Sequence, residues 1–202
     1  MACELKHHAP FTAVGALTGI VLMALVVVLH VPHHASEAVF CVMHPAHVFL
    51  SALVTAALFR HYRQSVVLTV VVGFVGSVGI GTLSDIVMPH FGGLLVGVKM
   101  DEHMHIGFID HWWLVNPLAL LGIGLAFWKP WTKLPHYGHV LLSTWASLFY
   151  LTAHGEAAWL PLLPAIFAVL FLAVWVPCCL SDIVFPLLFV GRAAAAEHTH
   201  SH

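Results

Sequence analysis

Long apolar stretches separated by short polar breaks dominate the chain. An α-helix needs about 20 apolar residues to cross the hydrocarbon core of a bilayer. Six stretches suit such helices, at about Phe11–His30, Glu37–Phe59, Ser65–Met88, Asp110–Trp128, His136–Ala153 and Trp159–Val190. The last is too long for one straight crossing, and its internal prolines predict bends. The pattern therefore predicts an all-α polytopic membrane protein with six transmembrane helices.

Two sequence motifs occur twice, which predicts that the chain is a duplicated unit. The first, H-x-x-H-V-x-L-S, begins at His44 and again at His136. The second, L-S-D-I-V-x-P, begins at Leu83 and again at Leu180. Each copy would hold three of the predicted helices, and an odd number of crossings turns the second copy upside down. The expected architecture is two inverted three-helix repeats, an arrangement found in many secondary transporters.

The repeat also sets the predicted domain boundaries. Residues 1–92 form the first three-helix repeat, 93–106 an external linker, 107–192 the second repeat and 193–202 a mobile histidine-containing tail. Lysine and arginine concentrate on the cytoplasmic side of membrane proteins. The chain has seven lysine and arginine residues, and all but Lys99 fall on the side of the membrane that holds the two termini. These six are Lys6, Arg60, Arg63, Lys129, Lys133 and Arg192. Both termini are therefore expected in the cytoplasm, in a plasma membrane or a bacterial inner membrane.

The amino-acid composition is that of a membrane protein and limits the kinds of molecule that the chain is expected to bind. The chain is 60% hydrophobic and only 8% charged, whereas a soluble domain carries about 25% charged residues. The formal net charge of −2, without a basic run, argues against a nucleic-acid partner. The expected partners are the lipid bilayer and a metal cation, and a homo-oligomer is left open. The four cysteines do not form the framework of a secreted disulfide-rich protein.

Eighteen histidines are the feature that points to chemistry. Residues three apart share a helix face, so each H-x-x-H can present two imidazoles to one centre. Imidazole suits zinc, copper, iron and nickel, and ionisable residues inside a membrane are functional candidates. The residues with these properties are His44, His47 and Asp85 in the first copy and His136, His139 and Asp182 in the second. The sequence thus predicts that the protein binds a transition-metal ion, whose identity it does not fix.

The direction of each predicted helix decides which of these residues should meet. Two clusters, each of three histidines and one aspartate, are expected at opposite faces of the membrane. The outer cluster is His44, His47, Asp85 and His111, and the inner cluster is His136, His139, Asp182 and His8. Cys41 precedes His44 by three residues, and Cys178 and Cys179 closely precede Asp182, so each could add a soft ligand. The alternatives are histidine–aspartate hydrogen bonds that hold helices together and cysteines that serve only packing.

Further histidines and acids fall on the predicted external side. They are His30, His33, His34, His90, His103, His105 and His154, with Glu37, Asp101, Glu102 and Glu156. This set predicts a weakly acidic, histidine-rich vestibule that collects cations, with ordinary solvated loops as the alternative.

The segment His105-Ile-Gly-Phe-Ile-Asp110-His111 follows the pattern H-x4-D-H. It resembles the signature of the nickel/cobalt permeases. The wider group of small metal permeases and exporters also tends to have about six helices in inverted three-helix halves. The resemblance covers seven residues and implies metal binding by His105, Asp110 and His111.

Three functions are consistent with these features. The first is a transporter of a divalent transition-metal cation of the Ni, Co, Zn, Fe or Mn class, with one cluster at each membrane face. The second is a membrane-embedded, histidine-ligated metalloenzyme of the oxidoreductase or hydroxylase type, because His30-x-x-His33-His34 is similar to the histidine boxes of membrane di-iron enzymes. The third is a haem-binding electron carrier, which needs histidines of two helices at matching depth. Transport is favoured over an enzyme, because the expected inverted placement disperses the histidines between the two faces.

Overall fold

A computed structural model describes residues 2–128, 133–179 and 185–189 of the chain, without the side chains of 2–8, 133–137, 179, 186 and 187. Over these residues the chain forms six long helices. They are α1 (Ala2–Val28), α2 (His33–Tyr62), α3 (Val66–Leu95), α4 (Trp112–Trp128), α5 (Lys133–His154) and α6 (Trp159–Cys179). Single helical turns at Gly107–Asp110 and Phe185–Leu188, and the strands β1 (Lys99–Met100) and β2 (Gly155–Glu156), complete the described elements.

Four of the described helices, α1, α2, α3 and α6, are long and apolar enough to cross a membrane. The mean hydropathy of their spans lies between 1.7 and 2.5, and α4 is a shorter apolar helix. Large apolar side chains on α1, such as Leu17 and Val21, are more than half exposed, as a surface in contact with lipid requires. By length and composition the described chain is a polytopic helical membrane protein, and this part of the sequence prediction is confirmed.

Helix α3 runs past the proline at which the sequence predicted its end. The prediction stopped near Met88 because Pro89 has no backbone N–H and crowds the carbonyl four residues earlier. In the structure Pro89 follows a π-helical stretch, Leu83–Val87, and the helix continues to Leu95. Such wide turns are rare and are frequently found at functional sites. The longer helix places Asp85 about 15 Å from its end, at a rise of 1.5 Å per residue.

Helix α2 is the centre of the bundle. It packs along α5 on one side and along α4 on another, while α1 packs against α5 and α6. Helix α3 contacts α2, α4, α5 and α6. Small residues allow close approach: a Cβ at Gly122 of α4 would collide with the backbone carbonyl of Phe49 in α2. Glycines of α3 make similar contacts, since Gly73 lies against Ile123 and Gly76 against Thr55. Small residues of this kind are typical of helix interfaces in membranes.

A two-residue antiparallel pairing holds the segment before α4 beside the end of α5. Lys99 pairs with Glu156 and Met100 with Gly155. The backbone N–H of Asp101 extends this pairing, because it donates to the carbonyl of His154 at 3.0 Å. The predicted linker 93–106 is therefore fixed by backbone hydrogen bonds, which brings its charged and histidine side chains close to the bundle.

Candidate metal centre

Asp85, completely buried in α3, joins three helices through its carboxylate. Its Oδ2 accepts hydrogen bonds from Nδ1 of His44 at 2.8 Å and from Nδ1 of His47 at 2.7 Å. Its Oδ1 accepts from the hydroxyls of Ser84 at 2.7 Å and Ser143 at 2.6 Å. Both oxygens are thus occupied by protein donors. Although Asp85, His44 and His47 are close enough to hold an ion together, their facing atoms already bond one another, so we assign the carboxylate the role of orienting the imidazoles.

These hydrogen bonds decide which ring nitrogens can bind a cation. An ionised carboxylate has no proton to give, so both imidazoles donate to Asp85 through Nδ1–H. Each ring then keeps the lone pair of Nε2 for another partner. Metal-ligating histidines commonly donate their second nitrogen to a carboxylate in this way, which fixes the tautomer and the ring orientation. His44 and His47 are each only 1% exposed, so bulk water does not compete for them.

His47, His139 and Cys178 form the candidate metal centre. All three are buried, and one ligand atom of each lies within 4.8 Å of the others. The rings of His47 and His139 are stacked, with centroids 5.6 Å apart and planes 12° from parallel. Because Nδ1 of His47 is hydrogen bonded to Asp85, Nε2 is the nitrogen of that ring that would bind an ion. Ligands around tetrahedral zinc lie about 3.4 Å apart, so an ion would draw these side chains together by no more than about 1.5 Å.

Hydroxyl groups and a glycine support this centre. Ser147 of α5 donates to the backbone carbonyl of Ser84 in α3 at 3.0 Å, which adds a second polar tie beside that of Ser143. Gly81 of α3 packs beside the ring of His47, whose Cε1 would be in van der Waals contact with a Cβ at that position, at 3.7 Å. Polar bonds between membrane helices contribute about 1 kcal/mol each. The centre is therefore held by α2, α3 and α5 before any ion binds.

A cavity lies near the start of α2 and leads toward His44. Its lining residues are Glu37, Phe40, Cys41, His105, Gly107, Asp110, His111 and His154. A Cβ at Gly107 would lie 2.8 Å from Nε2 of His44, so this glycine separates the cavity from the imidazole. That Nε2 is buried and has no hydrogen-bond partner among the described residues. The cavity therefore ends at Gly107, directly in front of an imidazole nitrogen whose lone pair is not used by the described residues.

The predicted ligands of the outer cluster have different surroundings. His44, His47 and Asp85 meet, whereas Nε2 of His111 lies 3.6 Å from Sγ of Cys41 in the wall of the cavity. His111 stands between a helical turn and α4, which begins only at Trp112. His105 and Asp110 are also near the cavity, with Nδ1 and Oδ2 3.8 Å apart and both side chains nearly half exposed.

His139 corrects the prediction that the two H-x-x-H motifs lie at opposite membrane faces. Its ring stacks on His47 instead. The depth estimate was wrong because α5 begins at Lys133 and not at His136, which places His139 six residues into its helix, while His47 lies near the middle of α2. The side chains of His8 and His136, and the whole of Asp182, lie outside the described residues, so the rest of the inner cluster stays a prediction.

The structure also changes the expected vestibule and adds residues that the sequence reasoning missed. His90 was expected near solvent, but it is 6% exposed, lies within α3 and pairs through Nδ1 with the hydroxyl of Tyr150 at 3.2 Å. The role of Ser143 was not anticipated, although it ends the repeated motif H-x-x-H-V-x-L-S. A serine recurs at the same distance from the two histidines in both copies of the motif, and this recurrence could have marked Ser143 as a site residue.

Comparison of the chain with protein-family models, with curated proteins and with solved structures finds no match. The function is therefore inferred from the geometry of the centre and from the helices that carry it.

Proposed function

We propose that the protein is an integral membrane transporter of a divalent transition-metal cation, which crosses through the buried centre of His47, His139 and Cys178. The observation that carries this proposal is the proximity of their three ligand atoms, within 4.8 Å. They lie among apolar helices and beside a carboxylate that already orients one of the imidazoles. Buried groups of this kind are costly inside a membrane and are typical of substrate and ion pathways.

The donor atoms narrow the class of cation. Imidazole suits zinc, copper, iron and nickel, and a thiolate favours the softer members of this group over manganese, magnesium and calcium. Three protein ligands leave one position of a tetrahedral ion open. An incomplete shell suits a carrier, because the cation must leave the centre as well as enter it. Zinc, nickel and cobalt are therefore the first cations to test.

The proposed architecture is six crossings in two inverted three-helix repeats, with both termini in the cytoplasm. The duplicated motifs support it, and so do the helix contacts: α2 packs against α4 of the other half, as α5 packs against α1. In such transporters the site lies near the midplane, at the interface of the repeats. Here His47 comes from the first copy, and His139 and Cys178 come from the second. The proposal therefore has one centre shared by the two copies, which includes His47 of the predicted outer cluster and His139 of the predicted inner cluster.

A membrane-embedded metalloenzyme is the second candidate, because three protein ligands with an open position are also the arrangement of catalytic zinc sites. A haem-binding carrier fits less well. The rings of His47 and His139 are stacked face to face at 5.6 Å, and a porphyrin between their nitrogens would require the two rings to separate.

Uptake into liposomes tests the transport proposal. The purified protein is reconstituted, and entry of Zn²⁺, Ni²⁺ or Co²⁺ is followed with a trapped fluorescent indicator. We expect His47→Gln and Cys178→Ser to lower uptake at least about tenfold, because each removes a ligand. His61→Gln is the matched control, since His61 lies on the same helix but contacts the ring of Tyr62. If the wild-type protein binds one ion tightly but uptake equals that of protein-free liposomes, the transport proposal is wrong and the enzyme becomes the leading candidate.

A further inference from the structure

A second group of cation ligands lies outside the buried centre, at the mouth of the cavity. Asp101, His105 and His154 each offer a ligand atom within 4.8 Å of the others. His154 is buried, and its Nδ1 lies 3.2 Å from Oδ2 of Asp101. The ring of His105 stacks on that of His154, with centroids 4.5 Å apart and planes 18° from parallel. The three side chains thus meet although they come from two separate segments.

Backbone bonds place these side chains. The pairing of β1 with β2 and the bond from the Asp101 N–H to the His154 carbonyl fix Asp101 beside the end of α5. The ring of Tyr150, one turn before His154, packs against the His154 ring with centroids 4.8 Å apart. Side chains held from the main chain lose little further freedom when they bind a cation. The three ligand side chains are therefore positioned close together before a cation binds.

The surroundings of this group suit a cation that arrives from water. The side chains of Asp101 and His105 are 56% and 49% exposed, so an ion can reach them. The carboxylates of Asp110 and Glu37 line the adjoining cavity. A recess lined by charges of one sign raises the local concentration of counter-ions. The negative charge at the mouth therefore favours capture of a positive ion.

The cavity extends from this group toward the helix that carries the buried centre, because its lining includes His105 and His154 as well as Glu37 and Cys41 of α2. Gly107 lines the cavity, and directly behind it lies Nε2 of His44, which has no hydrogen-bond partner in the part of the chain that the structure describes. Glu37, Cys41, His44 and His47 follow one another on α2 at intervals of four, three and three residues. Such intervals place side chains along one side of a helix. Side chains with ligand atoms thus follow one side of α2 from the cavity wall, at Glu37 and Cys41, to His47 of the centre.

We propose that Asp101, His105 and His154 form a second divalent-cation site, which loads the buried centre through the cavity. Its ability to bind a cation stands on its own geometry, while its role in loading rests on the proposed transport function. Exposure to water makes it the weaker of the two sites, because hydration competes with half-exposed ligands. It takes the same class of cation as the centre and holds it only briefly.

Calorimetric titration of the full chain in detergent with Zn²⁺ tests the site itself. The three histidines of the tail, His198, His200 and His202, are first changed to Gln, so that they add no binding. We expect a tight and a weaker event. Cys178→Ser should remove the tight event, and Asp101→Asn should weaken the other at least about tenfold. Glu102→Gln is the matched control, since it removes the neighbouring exposed carboxylate.

The binding site is refuted if Asp101→Asn leaves the weaker event unchanged, or if Glu102→Gln weakens it equally. His139→Gln serves as a second background, in case Cys178→Ser does not fold. Uptake into liposomes then tests loading: Asp101→Asn should raise the half-saturating Zn²⁺ concentration about tenfold and leave the maximal rate unchanged. An unchanged half-saturating concentration overturns the loading role. A wild-type protein that transports nothing, but still shows the weaker event, refutes transport and leaves the site standing.

Discussion

His47 and His139 occupy the same position in the two copies of H-x-x-H-V-x-L-S, and their rings lie face to face, 5.6 Å apart. Equivalent residues of two inverted repeats are related by an axis in the membrane plane. Two equivalent residues far from that axis lie at opposite faces of the membrane, whereas two equivalent residues close to it lie next to each other. The stacking of these two rings therefore places them near the axis of the proposed repeat.

The same relationship explains the role of Ser143. It donates to Asp85, the acid of the first copy, although it belongs to the H-x-x-H motif of the second. The first copy holds its counterpart, Ser51. The hydrogen bonds of Asp85 are therefore complete only when the helix that carries the second motif packs beside it. The centre is thus expected to depend on the packing of α2 against α5.

Replacement of Asp85 by Asn should weaken metal binding more than it disturbs the fold. The amide keeps the shape of the side chain but no longer forces both imidazoles to donate through Nδ1, so the tautomer that frees Nε2 is lost. Loss of such an outer partner typically lowers metal affinity about 10- to 100-fold. Competition with a chromophoric zinc chelator, in detergent, measures the change.

Ser143→Ala is the control for this substitution, because it removes one hydrogen bond to Asp85 and leaves both imidazole bonds in place. It should cost about 1 kcal/mol of stability and little affinity. Equal zinc affinity in Asp85→Asn and wild type would show that the carboxylate does not orient a ligand.

Cys178 should give the centre a spectroscopic signature. A thiolate bound to Co²⁺ produces a ligand-to-metal charge-transfer band in the near ultraviolet, which imidazole ligands do not produce. We expect this band in the Co²⁺-loaded protein and its loss in Cys178→Ser. Cys41→Ser is the matched control, because Cys41 lies in the cavity wall beside His111 and outside the centre. If the band is instead lost in Cys41→Ser and kept in Cys178→Ser, the thiolate ligand has been assigned to the wrong site.

The helical membrane class followed from the sequence, because apolar runs long enough to span a bilayer are a strong signal. The helix ends were less predictable. Pro89 is a reasonable end for an α-helix, but a π-helical stretch just before it lets α3 continue to Leu95. No pattern of apolar residues distinguishes these two outcomes. The error matters because depth in the membrane was counted from the helix ends.

The residue types of the candidate site were predictable from the sequence, but which of these residues lie together was only partly predictable. Spacing alone put His44 and His47 on one helix face, and its place deep in an apolar helical run made Asp85 a candidate partner. Which residues of the second copy would meet them depended on the contact between α2 and α5, which no local signal encodes. The sequence therefore suggested Cys178 as a soft ligand, but it could not pair this residue with His47.

Gly107→Ala should impede entry from the cavity and leave the buried centre intact. A Cβ there would lie 2.6 Å from Cδ2 of His44 and 2.8 Å from its Nε2, so the ring or the helical turn must shift. We expect slower uptake into liposomes and unchanged zinc affinity at equilibrium. Uptake equal to that of the wild type would mean that ions do not pass this point. A fall in affinity as large as the fall in rate would mean that the substitution disturbs the centre itself.

Two glycines of α4, Gly122 and Gly124, provide a matched test of the helix packing that supports the centre. A Cβ at Gly122 would collide with the Phe49 carbonyl of α2, whereas a Cβ at Gly124 meets nothing within 4 Å. Gly122→Ala should therefore force α2 and α4 apart and destabilise the protein by about 1–3 kcal/mol. Gly124→Ala should be neutral or stabilising by up to about 1 kcal/mol, because alanine is the better helix former. Thermal unfolding in detergent, followed by circular dichroism, compares the two. Equal transition temperatures would contradict the close approach of α2 and α4 at the position of Phe49.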